Sequence, residues 1–156
     1  MGKGEDVKHI FRMAKIKNYT SAVPVERTIS QIESCLVKIG VSKIEKTYTA
    51  GFSDGIIFSI TIDQEIKFKI PANIDAAKDI LKQIPEYRKK PKEWLEGQSR
   101  RTAWRLIYDW IQIQVAMVML KQADAMEVFL PYAYSLKDDK TFYQRMKDGS
   151  NYKLLE

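Results

Sequence analysis

The sequence predicts an α+β fold: a helix, a three-stranded antiparallel meander, a second helix, and a C-terminal helical layer around one long buried helix. Two changes of period predict it. Apolar residues recur at helical spacing up to residue 40, alternate with polar residues over 44–70, and then return to helical spacing. The length of 156 residues suffices for one ordinary domain with a substantial core, so we expect one compact body.

The chain opens with a segment that we interpret as a basic, flexible arm over residues 1–20, because it shows no sustained apolar periodicity. An α-β-β-β-α module over 21–85 follows. Pro24 suits a first helical position, and apolar residues from Val25 to Ile39 then follow at spacings of three and four. Gly40 is expected to end this helix as its C′ residue.

The meander is predicted by alternation of apolar and polar residues, which is typical of strands with one buried face. Pro71 is expected to end the third strand, and Lys67 and Lys69 are expected on the open face of the sheet. The strands are expected over 44–49, 56–62 and 66–70, with turns at 50–55 and 63–64 between them.

A second helix is expected between an N-cap at Asn73 and Pro85. The segment 86–98 is charged and interrupted by Pro91, so we interpret it as a basic connector with one helical turn. The helical C-terminal layer is then expected over 99–156.

The longest helix is predicted over about 99–122. Its C-terminal half, 113–120, is apolar on nearly every side, which predicts a helix buried by neighbours all round. Capping-box patterns at 124–127 and 141–144 predict the starts of two further short helices. In the long helix, the residues expected to be buried are Trp104, Ile107, Ile111, Val115 and Val118, with Met117 or Met119 packed on the opposite side.

The net charge of +6 is concentrated in two segments, with +3 in residues 1–17 and +4 in residues 86–106. Concentrated positive charge attracts polyanions, although small domains also use net charge for solubility. Trp94 is expected to be exposed, where it could stack on a base. The candidate nucleic-acid contacts are Arg88, Lys89, Lys90, Lys92, Arg100, Arg101 and Trp94, with Lys67 and Lys69 as a further contributor.

The residue inventory disfavours an enzyme, a metal site and a cofactor. The chain has one histidine, His9, one cysteine, Cys35, and no glycine-rich phosphate loop. Arg105 and Asp109 lie four residues apart on the long helix, a spacing that predicts a structural ion pair. Cys35 is expected to be an inert core thiol.

The sequence predicts a cytoplasmic protein without a membrane span. No apolar run approaches the ~20 residues that cross a bilayer. No secretory signal is visible, and a lone cysteine fits a reducing compartment.

Two resemblances accompany these features. The order of elements over 24–84 is similar to that of double-stranded-RNA-binding domains, but the basic cluster that opens their second helix is missing at 73–78. Three parts of the sequence resemble a family of small uncharacterised proteins of phages, prophages and integrative elements: Tyr19–Glu26, Phe68–Ala72, and the motif Ala103–Arg105 taken with Asp109, Trp110, Gln114 and Val128–Tyr132. That resemblance implies a mobile-element context and a cytoplasmic location, and no activity.

Three functions follow as hypotheses. The first is a non-enzymatic nucleic-acid-binding accessory protein of a phage or mobile element, which contacts phosphates through basic patches. The second is a protein-binding modulator or inhibitor of a host defence or recombination enzyme. The third, an enzyme on a small polar substrate, is disfavoured by the residue inventory. The sequence leaves the type of nucleic acid and the oligomeric state open.

Overall fold

The computed structural model describes residues 15–149 and has an α+β fold, as predicted, with helices and one five-stranded antiparallel sheet. Most of the predicted arm, residues 1–14, lies outside the described residues. The helices are α1 Val25–Val37, α2 Ile74–Leu81, α3 Pro85–Arg88, α4 Lys92–Met119, α5 Ala125–Phe129 and α6 Phe142–Asp148, with a 3₁₀ turn at Leu130–Tyr132. The strands are β1 Lys43–Thr49, β2 Phe52–Thr61, β3 Glu65–Pro71, β4 Ala133–Ser135 and β5 Lys140–Thr141.

Helix α1 ends as the sequence predicts. Gly40 has a positive φ of 88°. The Gly40 N–H donates to the Val37 carbonyl, and the Val41 N–H donates to the Leu36 carbonyl. These two hydrogen bonds are those of a Schellman motif with glycine at C′, a position that favours glycine because it lacks a Cβ.

The predicted meander is present and forms part of a larger sheet, in the order β1-β2-β3-β4-β5. β4 pairs antiparallel with β3, where Phe68 faces Ala133, and β5 pairs with β4. The C-terminal segment, which we expected to be a helical layer without strands, therefore adds two short strands. Strands of two or three residues are too short for alternation to reveal them.

The turn between β1 and β2 is shorter than expected. It consists of Ala50 and Gly51, both with positive φ, as in the type I′ turns that suit twisted hairpins. The remainder of the expected turn belongs to β2. Asp54 lies within β2 and accepts hydrogen bonds from the hydroxyls of Thr47 and Thr49, beside a shift of register in β1. These two hydroxyls lower the pKa of Asp54.

Helix α4 begins at Lys92, inside the segment that we interpreted as a connector, and α3 occupies 85–88. The prediction of a largely non-helical connector over 86–98 is therefore wrong. Pro91 directly precedes α4, and its carbonyl accepts from the Leu95 N–H. A proline at a helix start sacrifices no helical hydrogen bond, so Pro91 marks a beginning here rather than an interruption.

Burial along α4 is one-sided. Trp104, Ile111 and Val115 are buried as predicted, whereas Ile107, Met117 and Val118 are half-buried and Met119 is exposed. Ile113 and Leu120 are 61% and 76% exposed, so the prediction of all-round burial over 113–120 is wrong. The apolar composition of 113–120 shows that the segment is hydrophobic, but it does not show how many other elements pack against the helix.

The two capping-box patterns begin helices as predicted. Asp124 accepts a hydrogen bond from the Glu127 N–H at the start of α5. At the start of α6, Thr141 accepts from the Gln144 N–H and its own N–H donates to the Gln144 side chain. Both arrangements satisfy backbone donors that a helix start would otherwise leave unpaired.

The chain divides into two compact units. Among the described residues, 15–30 and Ala72–Asp109 form the first unit, and Gln31–Pro71 and 110–149 form the second. The second unit contains the whole sheet and an aromatic core in which Phe58 lies 5.3 Å from Phe68 and 5.2 Å from Phe129, between ring centroids. The core of the first unit contains Leu81, Ile84 and Leu95, with Ile16, Tyr19, Tyr87 and Trp94 packed against it.

Among residues 15–149, the helices all fall short of the length and apolar content that crossing a bilayer requires.

The one-sided burial of α4 predicts unequal effects of two isoleucine substitutions in the second unit. Ile111→Ala removes a side chain that is 0% exposed and should lower the free energy of unfolding by about 2–5 kcal/mol. Ile113→Ala, the matched control on the exposed side, should change it by less than about 0.5 kcal/mol. Chemical denaturation of both variants provides the measurement, and equal losses would contradict the assignment of faces.

Candidate functional site

The first unit contains a cleft of about 520 Å³ lined by five basic side chains and one leucine. The lining residues come from the C-terminal part of α2, the end of α3, the link that follows α3, and the first turn of α4. They are Lys78, Lys82, Arg88, Lys90, Lys92 and Leu95, and we call this site the cationic cleft.

Helix α2 contributes two lysines. Lys78 and Lys82 are four residues apart, so they project from the same side of the helix and its C-terminal cap. The helix starts at Asn73, whose side chain accepts from the Ala76 N–H, as the sequence predicts. The C-terminal end of a helix favours cations because of the helix dipole. Lys78 in the last turn and Lys82 at the C-cap are therefore positioned where the dipole stabilises positive charge.

Arg88 is held by the backbone that follows α2. Its Nε donates to the Lys82 carbonyl at 3.0 Å, and its Nη2 donates to the Gln83 carbonyl at 3.4 Å. The two carbonyls accept from the Nε and Nη2 side of the guanidinium, so the two N–H groups of Nη1 are left to donate to a ligand. A guanidinium fixed in this way loses little conformational freedom when its remaining donors bind an anion.

Trp94 packs in the core, contrary to the expectation that it is exposed. It is half-buried, and its ring meets that of Tyr87 edge-on at a centroid distance of 4.9 Å. The Lys90 ammonium lies 5.2 Å from the centre of the Trp94 ring. Trp94 therefore contributes to the cleft by holding Lys90 in a cation–π contact.

Leu95 belongs to both the cleft and the core. It lines the cleft, is 6% exposed, and forms the buried cluster with Leu81 and Ile84. Its packing joins α4 to the end of α2 beneath the cationic side chains.

Glu96 provides the carboxylate contacts in this group. Its Oε1 lies 3.4 Å from the Lys78 ammonium and 4.0 Å from the Lys92 ammonium. Within residues 15–149, Lys82 and Arg88 form no ion pair at all. Two of the five lining cations thus contact a carboxylate and the other three contact none in the described part of the chain, so positive charge is in excess in the cleft.

Three other residues of the predicted basic group lie outside the cleft lining. Lys89 is exposed, and Arg100 is half-buried. Arg101 has a structural role, since its Nε donates to the Ser21 carbonyl and its Nη2 donates to the Gln98 side chain.

The sheet lysines belong to the second unit and have acidic neighbours. Lys67 lies 3.7 Å from Glu45, and Lys69 lies 3.4 Å from Asp139 and 5.0 Å from the centre of the Tyr134 ring. The Tyr134 hydroxyl and the Lys69 ammonium both lower the pKa of Asp139. Each sheet lysine thus has the carboxylate contact that Lys82 and Arg88 lack.

The segment before α1 is held in place by hydrogen bonds from side chains of the first unit to its backbone carbonyls. Gln98 donates to the carbonyls of Tyr19 and Ser21 at 2.8 and 3.0 Å, and Thr102 donates to the Asn18 carbonyl at 3.0 Å. The Tyr87 hydroxyl also donates to the Tyr19 carbonyl. Residues 16–20, which we expected to belong to the arm, are therefore a docked part of the first unit.

Asp109 binds that segment. Its Oδ2 accepts from the Lys17 ammonium and the Asn18 amide. Burial alone would raise the pKa of Asp109, but these hydrogen bonds and the charges of Lys17 and Arg105 bring it below its usual value. The Arg105 guanidinium lies 4.3 Å from the centre of the Tyr108 ring. The Arg105–Asp109 ion pair stays a prediction, and Lys17 and Asn18 are partners that helical spacing could not reveal.

Lys78 and Lys82 are the lining residues that the sequence analysis missed. Their four-residue spacing near the end of α2 was a usable signal, but nothing local indicates that this end of α2 lies beside α3 and α4. Cys35 is buried and unpaired, as expected. In the described part of the chain, no group of three or more His, Cys, Asp or Glu side chains is arranged to hold a metal.

Comparisons with known proteins provide no relative on which to model the cationic cleft. No family model, curated protein or solved structure matches this chain. The functional argument therefore depends on the chemistry of the lining residues.

Because its native pKa is lowered, Asp109 should stabilise the fold only when it is ionised. Asp109→Asn should lower the free energy of unfolding by about 1 kcal/mol at neutral pH. The difference from the unsubstituted protein should be complete above the unfolded pKa of about 3.9 and should vanish as the pH falls through the lower native pKa.

Urea denaturation across that pH range provides the measurement, with Asp63→Asn as a control at an exposed position. A difference that persists at the lowest pH would show that the ionised form of Asp109 does not stabilise the native state.

Proposed function

We propose that this protein is a non-enzymatic nucleic-acid-binding accessory protein that contacts phosphates through the cationic cleft. The observation that carries the proposal is the convergence of five basic side chains, from three neighbouring helices and the link between two of them, on one cleft. A cleft lined by one sign of charge concentrates the electrostatic potential and attracts ions of the opposite sign.

Counterion release favours a polymeric phosphate ligand. Nucleic acids carry a dense row of phosphates with condensed cations, and each basic side chain that neutralises a phosphate releases part of that cation layer. The cleft offers five such side chains within one site. Contacts of this kind position a nucleic acid and are insensitive to its base sequence.

The chemistry of the individual cations suits phosphate. Arg88 has a planar guanidinium anchored at one side by two backbone carbonyls, and a guanidinium with free donors can bind two phosphate oxygens at once. The lysines supply mobile point charges around it. The proposal centres on the cleft rather than on Lys67 and Lys69, because the sheet lysines have carboxylate partners nearby.

The mobile-element context and the cytoplasmic location are part of the proposal. The first is supported by the three stretches of sequence that resemble phage and integrative-element proteins. The second is supported by the single cysteine, which is buried and unpaired, as is usual in a reducing compartment.

A protein-binding modulator of a host defence or recombination enzyme is the second candidate. It is favoured by the apolar side chains that the second unit exposes: Ile113, Met119 and Leu120 in or directly after α4, and Leu136, Phe142 and Tyr143 nearer the C-terminus. Exposed apolar side chains are common at protein interfaces when they form one patch. Retention of a partner after nuclease treatment would favour this candidate over the first.

The proposed function predicts a change in the salt dependence of binding. Replacing Lys82, Lys90 and Lys92 together with glutamine should weaken binding to a single-stranded oligothymidylate. It should also flatten the slope of log affinity against log salt by about two units, since each lost phosphate contact removes about 0.7. Fluorescence anisotropy at a series of salt concentrations provides both quantities.

A triple variant of exposed lysines in the second unit is the matched control. Replacing Lys38, Lys137 and Lys147 with glutamine changes the net charge equally, and should leave the slope almost unchanged. Equal effects of the two triple variants would mean that overall charge, rather than the cleft, governs binding.

A further inference from the structure

Glu96 is not one of the lining residues, but its carboxylate contacts two of the lysines that line the cleft. One oxygen, Oε1, lies 3.4 Å from the Lys78 ammonium and 4.0 Å from the Lys92 ammonium. Lys78 comes from α2 and Lys92 from the first turn of α4. A single carboxylate oxygen therefore faces two lysines from different helices, as a phosphate oxygen would.

These contacts are poor candidates for a stabilising role. The Glu96 side chain is 34% exposed and that of Lys92 is 76% exposed, and exposed ion pairs contribute little to stability. Within α4 the lysine also precedes the glutamate by four residues, which is the less favourable order for a helical ion pair. The Lys92–Glu96 contact therefore adds little to stability, and the less exposed Lys78–Glu96 contact, with side chains 23% and 34% exposed, makes at most a modest contribution.

The same charge has a large effect on an anion in the cleft. A phosphate that binds Lys78 or Lys92 must displace the carboxylate or share the lysines with it, and it is repelled by Glu96 at short range. Partial exposure weakens this repulsion but does not abolish it, since the charges lie well within the screening length of about 10 Å at 0.1 M salt.

We propose that Glu96 is the specificity-determining residue of the cationic cleft, an internal competitor of phosphate for Lys78 and Lys92. The inference rests on the proposed function for its natural ligand. Its consequence bears on selection by charge density, because the repulsion grows with the negative charge that a ligand brings close to Glu96. Closely spaced phosphates engage several cations but lose more to this repulsion than isolated carboxylates do, so Glu96 narrows the preference of the cleft for densely charged phosphates.

Glu96→Gln tests this inference because it removes the charge and retains the size of the side chain. We expect the variant to bind both inorganic tripolyphosphate and a single-stranded oligothymidylate about three- to tenfold more tightly at low salt. That range is the effect of one unit charge about 6 Å from a phosphate at a dielectric constant between 80 and 40. Titration calorimetry measures both affinities.

Selection by charge density is tested with poly-glutamate as the carboxylate probe. We expect the unsubstituted protein to prefer tripolyphosphate to poly-glutamate, and Glu96→Gln to increase that preference. A preference that is unchanged in Glu96→Gln would overturn the specificity-determining role.

Glu93→Gln is the matched control. Glu93 lies in the first turn of α4, three residues before Glu96, is exposed, and forms no ion pair with a lysine of the cleft among the described residues. The control should change either affinity less than twofold, because solvent and salt screen a more distant charge. Glu96→Ala should act in the same direction as Glu96→Gln, and covers the event that the glutamine variant fails to fold.

The two probes separate this inference from the proposed function. Tighter tripolyphosphate binding by Glu96→Gln, with no oligothymidylate binding by any variant, would support the role of Glu96 and overturn the nucleic-acid function. Oligothymidylate binding that depends on Lys82, Lys90 and Lys92 but is unchanged or weakened in Glu96→Gln would overturn the role of Glu96. Equal gains in Glu96→Gln and Glu93→Gln would also overturn it.

Discussion

The packing of Leu95 against Leu81 and Ile84 is the contact on which the cationic cleft depends. This buried cluster joins the end of α2 to the first turn of α4, and Tyr87 of α3 packs against it. Because the three helical elements meet at one apolar cluster, the basic side chains around it converge on the same cleft. The first unit therefore gains the energy of apolar burial beneath a group of charges that repel one another.

Local contacts fix some of these charges. Arg88 is tied to two backbone carbonyls, Lys90 lies over the Trp94 ring, and Glu96 lies between Lys78 and Lys92. These contacts restrain the cations, but among the described residues of the cleft only Lys78 and Lys92 contact a carboxylate. The sheet of the second unit is different, since Lys43, Lys67 and Lys69 each have an acidic partner. A site that binds an anion needs cations that are restrained but mostly unpaired with carboxylates. A surface that needs only solubility can have each lysine paired with a carboxylate.

The parts of the fold that sequence predicted are those determined by neighbouring residues. The Schellman motif at Gly40, the capping boxes at Asp124 and Thr141, and the alternation of the meander are all local. The start of α4 was missed because Pro91 can precede a helix as readily as interrupt one. Exposure of Ile113 and the inclusion of Lys78 and Lys82 in the cleft depend on tertiary neighbours, which the spacing of residues in sequence does not report.

The central claim is that phosphates bind at the cationic cleft, and an amide NMR titration of the isotope-labelled chain with a single-stranded oligothymidylate tests it most directly. The account predicts that the largest chemical-shift changes fall on the end of α2, on α3 and on the first turn of α4, and that they saturate together. Largest changes on β3 around Lys67 and Lys69, or small changes scattered over both units, would contradict it.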